Sequence, residues 1–217
     1  MDEEIIDLTN TISIHTQIFP GSPKVSFLKW SNFNIDGYDS EVAFFSTHTG
    51  THMDAPSHFI SGKDSIDKIN INRFFSEALL LKIPRSKNEL VSLDDLSNFK
   101  KSLLENKTII FSTGWEKYNN EYFYMSSNPG LSDDVAKFLV ECNVNAVAID
   151  GPNIDSGNNH KFSVHKILLE NNILIIENLC NLNQLANYDK FRVIMLPLKL
   201  DNASGSPIRI LAICSRQ

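Results

Sequence analysis

The sequence predicts an α/β domain, with helices confined to the middle of the chain and strands crowding both ends, on three observations. Eight apolar runs rich in Val, Ile, Leu and Phe have strand length, two of them follow directly on an amphipathic helical pattern, and no repeat, linker or low-complexity segment divides the chain. Residues 1–217 are therefore read as one domain.

In order, the runs VSFLKW (25–30) and EVAFFST (41–47) open the strand-rich first part, followed by ALLLKI (78–83). A short helix is expected over LDDLSNFKKSLLE (93–105), ahead of the strand TIIFST (108–113). NNEYFYMSSNPG (119–130) reads as a long surface loop, a kind of segment that often shapes sites. Ser132 is a good N-cap with Asp133 and Asp134 in the first turn, and Val135, Phe138, Leu139 and Cys142 then share one face, which predicts a helix feeding the strand VNAVAID (144–150). A second helix is expected to begin near Ser163, with Val164, Ile167 and Leu168 facing the core, and to stop at Asn171-Asn172 before ILIIENL (173–179). His165 then lies in its first turn. FRVIMLPLKL (191–200) and PIRILAI (207–213) complete the strands.

Composition narrows the function classes. Hydrophobic residues at 42% and charged residues at 21% suit an ordinary globular protein, and a chain of this length buries roughly 70% of its unfolded surface. A net charge of -6, with Lys100 and Lys101 as the only adjacent basic pair, argues against nucleic acid as a partner. No apolar stretch approaches the roughly 20 residues of a membrane helix, and the acidic start MDEEIIDL is unlike a signal peptide, so a cytoplasmic location is expected. Cys142, Cys180 and Cys214 are far apart among apolar residues and read as buried small hydrophobes, not as a disulfide or thiolate set.

Chemistry concentrates in one segment, His48-Thr-Gly-Thr-His52-Met-Asp54-Ala-Pro-Ser-His58, directly after a predicted strand. Half of the six histidines fall here with a carboxylate between two of them, a set of N and O ligands suited to a divalent metal. Gly50 and Pro56 disfavour a helix, whereas extended backbone points His52 and Asp54 the same way, and Gly50 lets His48 fold back toward them. Taken alone, His165 reads equally as an ordinary partly buried histidine, and Glu177 reads better as a strand-end surface carboxylate. His15 and His160 carry no such signal; His160 sits in the polar stretch SGNNH.

HTGTHMDAPSHF resembles the HxGTHxDxPxHF signature of the cyclase family of metal-dependent hydrolases, whose members include bacterial kynurenine formamidases and isatin hydrolases. The resemblance runs nearly end to end, through IDLTNTISIHTQIFPGSP, FSTGW, LSDDVAKFL, VNAVAIDGPNID, HKILLENNILIIENL and LPLKLDNASGSPIRILAI. It implies a swivelling β/β/α fold with a mixed, barrel-like β core and flanking helices, and a homodimer or higher homo-oligomer. It implies that His48, His52, Asp54, His165 and Glu177 are metal ligands, that His58 shuttles protons, and that Phe19, before Pro20-Gly21, contacts an aryl substrate. Two departures touch substrate choice: Ser22 follows Gly21 where many relatives have Asp, and Asn153 in DGPNID replaces a more usual Ser.

The implied activity is hydrolysis of N-formyl-L-kynurenine or a related aryl amide by metal-activated water, with one or two divalent cations per subunit, zinc first and manganese second. Ring-opening of a cyclic amide or lactone by the same site is the nearest alternative. A catalytically silent metal-binding protein is a third, disfavoured by the complete ligand set and the retained His58.

Overall fold

Seven strands close into a ring, and that closure brings the two histidine-bearing segments together. In a computed structural model describing residues 3–188 and 190–215, the strands are β1 (Glu3–Asp7), β2 (Ser26–Ser31), β3 (Ser40–Phe44), β4 (His52–Asp54), β5 (Phe75–Lys82), β6 (Leu90–Val91), β7 (Thr108–Ser112), β8 (Gly130–Leu131), β9 (Ala146–Ile149), β10 (Leu174–Glu177), β11 (Phe191–Pro197) and β12 (Gly205–Ser215). The α-helices are α1 (Phe33–Asp36), α2 (Lys101–Leu104), α3 (Asp133–Glu141) and α4 (Ser163–Glu170). The ring runs β12-β11-β5-β7-β9-β10-β4 and returns to β12, where Gly205 pairs with Asp54 and Pro207 with His52. Strands β5, β7, β9 and β10 are mutually parallel; β4 and β11 run against their neighbours. β1 lies along the far half of β12. This is the mixed, barrel-like core expected from the sequence.

The continuous apolar runs follow from strands buried on both faces. Ile110, Ala146, Ala148, Leu174 and Ile176 point into the ring with Met53, Val193 and Met195, while Ile109, Phe111, Val147, Ile149 and Ile175 face α3 and α4. Alanine on the inner face of β9 suits a narrow interior that larger side chains fill from other strands. α3 begins as expected, the Ser132 hydroxyl accepting from Val135 N–H at 3.3 Å, and α4 spans the anticipated residues.

The structure departs from the sequence reading in several places. The helix expected over 93–105 is split into a 3-10 turn, Leu93–Leu96, and the short α2. Asp95 accepts from Ser92 N–H and from Arg85 and so ties down the first turn, and Ser97-Asn98, poor helix formers, let Phe99 pack inward. The 119–130 loop is not simply superficial, because Tyr124 and Asn128 are buried in it. Gly130 and Gly157 pin that loop, since a Cβ at either would lie 2.2–2.3 Å from backbone atoms of Ser156 or Ser126. Cys142 and Cys214 are buried as expected, but Cys180 is partly exposed. Finally, β1, β6, β8 and α1 have no counterpart in the sequence reading, and β4 falls where it expects only extended loop. Among the described residues no helix is long and apolar enough to cross a membrane.

Candidate metal centre

The centre forms at the C-terminal end of β10, the end of parallel strands at which α/β folds place their ligands. Glu177 closes β10 directly opposite His52 on β4. His52 and Asp54, two apart in an extended strand, project to the same side. Just before β4, Gly50 takes φ +63°, a left-handed turn that glycine makes without strain. The chain is thereby folded back so that His48 Nδ1 lies 2.7 Å from Asp54 Oδ1. His165 enters from the first turn of α4.

Four side chains then face one point. His52 Nε2 is 3.3 Å from Asp54 Oδ1 and 3.5 Å from Glu177 Oε2, and His165 Nε2 is 3.3 Å from Asp54 Oδ2 and 3.2 Å from Glu177 Oε1. A tetrahedral centre with N and O ligands at about 2.1 Å has ligand-to-ligand edges of roughly 3.4 Å, so these spacings match the edges of a coordination shell. Asp54 Oδ2 is buried without a hydrogen-bond partner, a costly condition for a carboxylate unless a cation satisfies it. Two overlapping triads, His52-Asp54-Glu177 and His48-Asp54-His58, share Asp54. The donor set is thus suited to one or two divalent cations.

The surrounding hydrogen bonds fix which atoms face inward. His52 Nδ1–H donates to Gly50 O at 2.9 Å, leaving Nε2 directed at the centre. Asn178 Nδ2 donates to the same carbonyl at 3.0 Å, and the Asn178 side chain accepts from Tyr124 O–H at 3.0 Å. His165 Nδ1–H donates to Asp155 Oδ2 at 2.7 Å. Asp155 also accepts the backbone N–H groups of Val164 and His165 at 3.0 and 3.1 Å. It thereby caps α4, where the N-cap Phe162 sits at φ +51° with no side-chain acceptor. Glu177 Oε1 accepts Ile154 N–H at 2.7 Å, and His48 Nε2 meets Ser204 Oγ at 2.9 Å.

Electrostatics divides the histidines by role. Burial pulls the His52 imidazole down, but the Asp54 and Glu177 carboxylates outweigh it and raise the pKa to about 9. Burial likewise opposes His165, yet Asp155, Asp54 and Glu177 hold its imidazole well above the usual range. Asp54, raised by burial, is held well below the carboxylate range by His165, His48 and His52. His58 behaves oppositely: burial dominates and pushes it down to about 4, so it is neutral at pH 7. Its ring stacks on His48 at 3.8 Å and 22°.

A cavity of about 290 Å³ opens onto this centre. His58, Phe19, Phe59, Phe162 and Met125 are among its walls, with His48, His52, His165 and Glu177 at its base. Phe162 is 6.1 Å from Phe19 and 5.4 Å from Phe59, centroid to centroid, and Phe59 is 4.8 Å from His165. All seven residues singled out in the sequence, His48, His52, Asp54, His58, His165, Glu177 and Phe19, are brought to this one place. His15 lies in an adjoining polar recess and His160 is exposed. Sequence reasoning passed over Asp155, Asn178, Phe59 and Phe162. The acid spaced ten before His165 and the aromatics beside His58 and Ser163 were the signals available.

Comparison with known proteins follows the same line. A family described as putative cyclase matches residues 6–156. A kynurenine formamidase of Bacillus cereus is 30% identical over 208 residues, 95% of each chain. An uncharacterized protein of Methanocaldococcus jannaschii is 33% identical over 218 residues, 97% of this chain and 99% of its own. Among solved structures, isatin hydrolase A from Labrenzia aggregata bound to benzyl benzoate superposes with a TM-score of 0.89 at 24% identity, over 99% of this chain and 94% of that one.

Proposed function

Because the chain belongs to the cyclase family, we propose that it is a metal-dependent hydrolase of aryl amides, acting on N-formyl-L-kynurenine or a close relative. The observation that carries this reading is the convergence of His52, Asp54, His165 and Glu177, at ligand-edge spacing, around a buried carboxylate oxygen without a hydrogen-bond partner. His48, His52, Asp54, His165 and Glu177 would hold one or two cations, zinc being the first choice for an all-N/O set and manganese the second. When bound, such a cation brings the pKa of water from about 15.7 to about 7 and polarises a carbonyl oxygen.

The chain's own residues supply the remainder. Phe19, Phe59 and Phe162 present aromatic walls against which an aryl ring stacks. Burial by these walls thins the water around the base of the cavity and strengthens every charge interaction there. His58, neutral at pH 7, accepts a proton at an imidazole nitrogen as the nucleophile forms and returns it to the departing nitrogen. A positioned acid–base group of this kind contributes about 100- to 10,000-fold. Its stacking on His48 holds the ring over the base of the cavity, next to the reacting atoms.

The chain is proposed to work as a homodimer or larger homo-oligomer. The β2–β3 hairpin with α1 exposes Leu28, Trp30, Phe33, Ile35 and Tyr38, Trp30 at 77% and Ile35 at 84%, and a cluster of exposed large apolar residues on one element is the kind of surface a partner subunit covers.

Metal analysis of the purified protein, with formate release from N-formylkynurenine and loss of isatin absorbance measured in parallel, tests the assignment. Formate release that disappears in Asp54→Ala together with the metal is the expected result, and light scattering should report at least a dimer. Turnover of isatin alone would move the assignment to ring-opening. Full metal content and full activity in Asp54→Ala would refute the centre itself.

A further inference from the structure

The aromatic cavity contains one carboxamide whose orientation is fixed and whose donors have nothing to bind. Asn153 is 8% exposed and lines the cavity. Its Oδ1 accepts the backbone N–H of Asp155 at 2.8 Å. A backbone N–H can only donate, so the oxygen end of the amide is assigned by chemistry and the NH2 end must face the other way. Among the described residues, no hydrogen bond is made by Asn153 Nδ2. The backbone on either side is pinned: Asn153 O accepts from Asn128 Nδ2 at 3.0 Å, and Ile154 N–H donates to Glu177 Oε1 at 2.7 Å. Asn153 is therefore the chain neighbour of a residue bound to Glu177, with its side chain oriented by the Asp155 N–H. The two other carboxamides in the wall differ, since Gln17 Nε2 donates to Asn119 O and Glu121 O at 2.8 Å each and Asn178 Nδ2 donates to Gly50 O at 3.0 Å.

We propose that Asn153 is a specificity-determining residue, its NH2 group donating to an oxygen acceptor that the substrate carries in addition to the scissile carbonyl. The substrate class is then an aryl amide with a second carbonyl or carboxylate oxygen near the ring. A pre-fixed donor in a cavity wall rejects an analogue lacking its acceptor, because the N–H is left unpaired when the ligand displaces water. This assignment rests on reading the centre as an amide hydrolase, but it can be measured without turnover.

The test compares two small aromatic amines of matching heavy-atom outline, 2-aminoacetophenone and 2-isopropenylaniline, in which C=CH2 replaces C=O, binding to the zinc-loaded protein by calorimetry. Wild type is expected to bind the ketone about tenfold more tightly, the worth of one hydrogen bond. In Asn153→Asp, which keeps the oxygen that accepts Asp155 N–H but has no NH2, the preference should vanish, and in Asn153→Ala it should fall to about one. Unfolding temperatures of the variants separate a collapsed site from a lost donor, and Asn153→Asp is the variant designed to retain the fold. A preference that survives in both variants, or a wild type that fails to distinguish the two ligands, overturns the assignment. Formanilide hydrolysis, assayed separately, reports on the amide-hydrolase reading whatever the binding result.

Discussion

Replacing Gly205 with alanine should disable the centre from a position that is neither a ligand nor a wall of the cavity. Gly205 pairs with Asp54 across the β12–β4 seam. A Cβ there would stand 2.5 Å from His48 Cε1, 2.9 Å from His48 Nδ1 and 2.8 Å from Met53 O. Ordinary carbon contacts begin near about 3.5 Å, so the His48 ring must retreat by about 1 Å. It is held by Asp54 at 2.7 Å and Ser204 at 2.9 Å, and carries His58 stacked on its face. A shift of that size breaks at least one of these bonds and displaces His58 with it. Misplacement on the order of 1 Å costs about 100-fold in rate, and overpacking a close contact costs about 1–3 kcal/mol in stability. The assays are kcat/KM on the best formamide substrate, zinc affinity by competition with a chelating dye, and urea unfolding. In a His48→Ala background the ring clash is absent, so the added cost of Gly205→Ala should shrink to the contact with Met53 O. Wild-type activity and zinc affinity in Gly205→Ala would show that His48 does not need its observed place.

Two further outcomes follow from the residues around the centre. Asp155→Asn removes charge from a side chain that accepts from His165 Nδ1 and from two backbone N–H groups of α4; metal affinity should fall about 10- to 100-fold and stability by about 1–3 kcal/mol, and unchanged values in chelator titration and thermal unfolding would sink the positioning role. Metal removal should reverse the pH dependence of stability. In the metal-free protein His52 is raised from 6.5 to about 9, so its stabilising contribution is complete below about pH 6.5 and is lost as pH climbs through 9, about 3 kcal/mol in all. With zinc bound, protons and metal compete, and stability should rise over the same window. Urea unfolding at pH 6, 7.5 and 9, with chelator and with zinc, distinguishes these; a flat metal-free profile contradicts the charge arrangement described.

Much of this was legible because its determinants are local. The segment 48–58 carries its ligands within eleven residues, and the two-residue spacing of His52 and Asp54 points to extended backbone that aims them together. The doubly buried strands announce themselves as unbroken apolar runs. β4 escaped notice because it is three residues long and two are polar. β1 escaped because its acidic ends look like a solvated tail, although Glu3 pairs with Arg192 and Asp7 with Arg209. His165 and Glu177 became candidates only through the family resemblance, since nothing in their own surroundings marks them. Asp155 serves a helix cap and an imidazole at once, a relation created by the loop from 150 to 162 and not by any periodicity. The breaking of 93–105 reflects Arg85, a residue eight positions upstream of the segment, reaching Asp95.

The seam between β12 and β4 also sets when the protein can begin to work. His52 and Asp54 leave the ribosome roughly 150 residues before Pro207 and Gly205, the partners that hold their strand in register. Until then the first histidine group has no wall behind it, and a nascent chain offers at most a loose chelating peptide. The centre is therefore complete only once β12 has been made and lies between β11 and β4, shutting the ring.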